Sequence, residues 1–205
     1  ECRGRSSQRR VPRCGCLLAV AGTVLLVLRA KAYGGLVNLV GVTVFGVSMI
    51  LLYLFSCLYH ALPPSKGKQV FQVLDHCSIF LLIMGTMPRP VWSLWAAPMA
   101  GPCLASTWPV VWWALPQCGG PGRWKKLSLV LYLVMGWMAV LAMPVMLHNL
   151  SRIGFLLILL GGLAYTIGVV FYRQKDKPYR HGIWHFFVLA GTVFHFFAVY
   201  TNCCF

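Results

Sequence analysis

Residues 35–62 read GLVNLVGVTVFGVSMILLYLFSCLYHAL, a run without a single Asp, Glu, Lys or Arg. A helix crosses the hydrocarbon core of a bilayer with about 20 apolar residues, so this stretch is long enough to span one. The same test, carried outward in both directions, finds six further apolar runs bounded by charge or by Pro and Gly. The seven are residues 16–30, 35–62, 70–87, 91–115, 127–148, 153–172 and 182–200. The expected fold is therefore all-α: a polytopic bundle of seven transmembrane helices over residues 16–200. It is flanked by a basic segment, 1–15, and a short tail, 201–205.

Composition agrees. Hydrophobic residues make up 59% of the chain and charged residues 10%, against roughly 45–50% and 25% in soluble proteins. Eighteen Lys and Arg face three acids, Glu1, Asp75 and Asp176. A basic chain this apolar is not reading nucleic acid; its cations belong in the connections, and membrane lipids are the expected partners. The nine cysteines are scattered without a zinc-finger pair, and most read as small apolar residues.

Fourteen of the cations lie before span one or between spans two and three, four and five, and six and seven. Arg29, Lys31, Arg89 and Arg152 alone fall on the other side. By the positive-inside rule the N-terminus is cytoplasmic and the C-terminus outside. The first span also resembles a signal peptide, with arginines ahead of a short apolar run. Arg29-Ala30-Lys31-Ala32 is a poor cleavage site, however, and a second span follows at once. Span four carries Trp92, Trp95, Trp108, Trp112 and Trp113 with Pro98, Pro102 and Pro109, and Pro116 follows it at once, so it reads as a broken or interfacial segment. In span six, Gly154, Gly161 and Gly168 recur every seven residues, as expected of a close-packed helix seam.

Ionisable residues inside spans are costly and mark functional sites. Ser56 and His60 are four apart near the end of span two, and His181 and His185 are four apart at the start of span seven. Each pair projects from one helix face. Asp75 opens span three. The alternating direction of the spans brings all five to the cytoplasmic side. An isolated pair of His at a helix start is commonly a capping or interface feature. Three imidazoles and one carboxylate at a common depth are what a zinc site with an open position requires, so His60, His181 and His185 are the candidate ligands. Asp75 is then the residue that orients an imidazole or holds water, with Ser56 beside it. His195 lies ten residues beyond His185, about 15 Å deeper, and is expected to be a buried hydrogen-bonding residue. His76 reads as packing or interfacial, and His148 as solvated.

Three stretches carry a family resemblance: Ser56-x-x-x-His60; Leu74-Asp75-His76-x-Ser78 with the apolar run to Gly85-Thr86; and His181-x-Ile183-Trp184-His185 through His195-Phe196-Phe197. They resemble the hemolysin III family, the bacterial branch of the progestin and adipoQ receptor superfamily, whose broader relatives include alkaline ceramidases. The resemblance implies a seven-helix protein of the bacterial plasma membrane, with zinc on the positions of His60, His181 and His185. The chain departs from the family pattern at the start of helix one, at Met87-Pro88-Arg89-Pro90 and in span four. Three activities follow as expectations: a zinc-dependent hydrolase of lipid amides or esters, with Asp75 and Ser56 catalytic; a receptor or membrane-homeostasis protein with structural zinc; or a cytolysin.

Overall fold

The computed structural model describes residues 2–33, 35–85, 130, 133–134, 136–137, 147, 150–173 and 180–202, apart from the side chains of residues 2–10, Phe80, Met84 and His181. Five helices fall in the long stretches: α1 (Cys2–Tyr33), α2 (Leu36–Ala61), α3 (Lys66–Gly85), α4 (Arg152–Arg173) and α5 (Arg180–Asn202). No strand occurs among the described residues. Spans two, six and seven coincide with α2, α4 and α5 to within a few residues. Span one lies inside α1, which continues back through the arginine-rich segment without a break. Span four and His148 lie outside the described residues, as does most of span five.

Among the described residues, four segments are long and apolar enough to cross a membrane: Val11–Tyr33, Leu36–Ala61, Arg152–Arg173 and Gly182–Asn202. Their outward faces carry large apolar side chains such as Leu17, Leu28, Val37, Ile153 and Phe186, more than half exposed. In water that surface would drive aggregation; in a bilayer it is the face turned to lipid. α3 has about the same length, but Lys66, Lys68, Gln69, Gln72, Asp75 and His76 keep its first half polar.

The α2–α3 connection is set locally. Pro63 and Pro64 end α2, because neither ring nitrogen can extend the helix ladder. The Lys68 ammonium donates to the Leu62 carbonyl at 3.0 Å. Ser65 Oγ accepts from the Lys68 amide at 3.2 Å, an N-cap for α3. At the other end of the molecule Ser151 caps α4 in the same way, accepting from the Gly154 amide at 3.0 Å. The Ser151 amide donates to Asn202 Oδ1 at 2.9 Å, which ties the start of α4 to the end of α5.

α1 packs along α2, α2 along α3, α4 along α5, and α1 returns against α5. The core between them is built on Leu26, Val42, Phe45, Met49, Leu52 and Val188. Gly154, Gly161 and Gly168 are all buried on α4, as the heptad spacing predicts. They face Asn202, His195 and the Trp184–Phe187 pair of α5 respectively. A Cβ on Gly161 would stand 2.5 Å from the His195 ring, so only glycine permits this approach.

Candidate functional site

Two turns beneath one end of the bundle, three side chains from three helices share a single hydroxyl. Tyr53 of α2 donates to Thr192 Oγ1 at 2.9 Å, and Tyr165 of α4 stands 3.0 Å from the same oxygen. Thr192 spends its one proton on the Val188 carbonyl at 2.9 Å. Its two lone pairs therefore receive both tyrosines, and no valence is left over. Tyr165 stacks on His195, with ring centroids 5.5 Å apart. His195 is buried, as expected, but its Nδ1 has no hydrogen-bond partner among the described residues.

Nearer that end, α2 and α5 meet again. His60 is the penultimate residue of α2, and His185 lies in the second turn of α5. Their Nε2 atoms are 3.1 Å apart, with the rings nearly perpendicular at 83°. Two imidazole nitrogens on one tetrahedral zinc, each at about 2.0–2.1 Å, stand roughly 3.3 Å from one another. The pair fits a shared ion to within a few tenths of an ångström. His181 is one turn before His185 on the backbone of α5, and its side chain lies outside the described residues. Among the described residues no group of three His, Cys, Asp or Glu side chains assembles for a metal.

Ser56, one turn before His60, is buried beside the Asp75 carboxylate. Its Oγ makes no hydrogen bond of good geometry among the described residues. Ser78 is buried too, but its hydroxyl is used on the Asp75 main-chain carbonyl at 2.8 Å rather than on the carboxylate. Tyr59 and Tyr172 lie within electrostatic reach of Asp75.

His76 is more than packing. Its Nδ1 is 2.7 Å from the Gln72 carbonyl and its Nε2 is 3.3 Å from the Tyr172 hydroxyl. Tyr172 also packs against Trp184, with ring centroids 5.2 Å apart. The sequence reading passed over Tyr172, Tyr53, Tyr165 and Thr192, although a signal for them existed. Tyr53 precedes His60, Tyr165 precedes Tyr172, and Thr192 follows His185 by seven positions in each case. Seven residues are about two helical turns, so each pair shares a face.

Residues 13–196 match the family described as haemolysin-III related. The chain is 39% identical over 196 residues to the hemolysin-3 homolog of Bacillus subtilis (strain 168), covering 92% of this chain and 89% of that one. It is 36% identical over 186 residues to hemolysin-3 of Bacillus cereus, covering 90% and 85%. A more distant similarity, 25% over 170 residues, is to the human monocyte to macrophage differentiation factor, covering 77% and 68%. No solved structure matches the chain.

Proposed function

The chain belongs to the haemolysin-III related family and is a multi-pass membrane protein, and on that premise we propose that it is a zinc-dependent hydrolase of lipid amide or ester bonds. The observation that carries this reading is the 3.1 Å approach of His60 Nε2 to His185 Nε2 from two separate helices. His60, His185 and His181 would hold the ion. The bundle has seven helices, with the N-terminus cytoplasmic and the site at inner-leaflet headgroup depth, the side that collects the cations.

Zinc held by three neutral imidazoles supplies Lewis acidity, polarising a carbonyl and acidifying water. Asp75 accepts the proton that water loses on attack and returns it to the departing amine or alkoxide, so one water is consumed per bond cleaved. Ser56, its hydroxyl buried beside the Asp75 carboxylate without a well-formed bond of its own among the described residues, would be the donor available to the reacting water. The apolar end of the lipid stays in the bilayer, so only its linkage reaches the site.

A second reading rests on a different observation. His60 and His185 join α2 to α5, which pack mainly through other helices, so the ion would serve as a structural tie in a receptor-like or membrane-homeostasis protein. The relatives named hemolysin-3 suggest a third, cytolysis. Metal analysis of detergent-purified protein beside a His181→Ala/His185→Ala variant tests the ligand set. Release of fatty acid or free amine from a panel of lipids then separates the first reading from the other two. Stoichiometric zinc without turnover leaves the structural reading standing, and the absence of zinc removes both.

A further inference from the structure

α3 carries Asp75, yet its extensive packing among the described helices is against α2. The element that bears His185 is α5, whose partners are α4 and α1. The carboxylate and the imidazole thus sit on helices that do not pack closely on one another. Among the described residues a side-chain bridge reaches across by way of α4: His76, next to Asp75, meets Tyr172 of α4 at 3.3 Å, and Tyr172 rests on Trp184, next to His185. Each end of the bridge is one residue from the candidate site.

The chemistry of the bridge fixes its geometry. A main-chain carbonyl only accepts, so His76 Nδ1 carries a proton for Gln72, one turn back on the same helix. In the neutral ring Nε2 is then the acceptor, and the Tyr172 hydroxyl donates to it. The His76 ring is held by its own helix and cannot turn away without giving up that bond. A rotation of α3 that moves Asp75 therefore moves His76 as well, against a tyrosine wedged on Trp184.

We infer that His76 and Tyr172 are positioning residues, which hold the Asp75 carboxylate in register with the His60–His185 pair across the bundle. This rests on Asp75 being the carboxylate of the proposed site. It adds the outer partners whose loss leaves every candidate ligand in place while changing where the carboxylate stands, the kind of support that orients functional side chains in metal sites.

The test is made in lipid nanodiscs, with spin labels at Val70 of α3 and Arg173 of α4, both exposed, in a background lacking other reactive cysteines. Tyr172→Phe keeps the ring on Trp184 and removes only the hydroxyl; His76→Phe removes the acceptor. Both are expected to shift and broaden the 70–173 distance distribution, the double variant no more than either single one. Labels at Val170 and Ile183, which report α4 against α5, stay unmoved. Turnover of whichever lipid the wild type cleaves falls roughly tenfold or more in kcat with KM retained. A 70–173 distribution that stays narrow and unmoved in both variants overturns the inference, as does a moved distribution with full turnover. If the distribution moves and the wild type cleaves nothing, the bridge stands and the hydrolase reading falls.

Discussion

His60 and His185, 125 residues apart in the chain, approach through their Nε2 atoms to 3.1 Å. Two neutral imidazoles can meet this way through one N–H···N hydrogen bond, and the same two nitrogens can turn to a shared ion once neither carries a proton. His60→Ala and His185→Ala are each expected to reduce bound zinc in purified protein from one equivalent toward none, measured by elemental analysis after dialysis. His148→Ala is expected to leave zinc content unchanged.

Thr192 is the acceptor for two buried phenols, so its replacement is felt by three helices. Thr192→Val keeps the shape and leaves the hydroxyls of Tyr53 and Tyr165 without their oxygen. The expected loss is about 1–3 kcal/mol, read as a lowered unfolding midpoint in detergent. Tyr53→Phe and Tyr165→Phe each remove a donor rather than the shared acceptor, and are expected to cost less than Thr192→Val.

Gly161 admits the His195 ring. Gly161→Ala is expected to destabilise by about 1–3 kcal/mol through overpacking. His195→Ala in the same chain should recover most of that loss, because it removes the group that the new methyl strikes. Recovery absent from the double variant in thermal unfolding would place the clash elsewhere.

Ser56 is buried with a hydroxyl that satisfies no well-formed bond among the described residues. Ser56→Ala is therefore expected to change stability by under about 1 kcal/mol, while lipid turnover falls. Ser78→Ala, whose hydroxyl serves a main-chain carbonyl, is the comparison that leaves turnover intact.

Much of this architecture was legible in the sequence because hydrophobic length is a local signal. The run 35–62 needs no partner to identify it as a span, and the glycines at 154, 161 and 168 announce a contact face by spacing alone. Charged or polar residues inside such runs stood out for the same reason, which is how Ser56, His60, Asp75 and His185 were found. Tyr172 and Thr192 were not found, because tyrosine and threonine are ordinary at helix ends and in packed cores. Their roles come from which atoms meet across helices: a hydroxyl that accepts twice, and a phenol that finds His76. The same holds for His76, where sequence neighbourhood suggested packing and the carbonyl of Gln72 fixes the ring instead.

The contacts between residues of α1–α3 and those of α4–α5 have a bearing on biosynthesis. His60, Asp75 and Tyr53 leave the ribosome while His185, Tyr172 and Thr192 are still to be translated. The contacts His60 with His185, His76 with Tyr172 and Tyr53 with Thr192 each join an early residue to a late one. A nascent chain thus holds half a site, and any activity of that site begins only when the final hairpin docks. The residues that complete it lie on α4 and α5, which pack along one another and are tied at one end by Ser151 and Asn202.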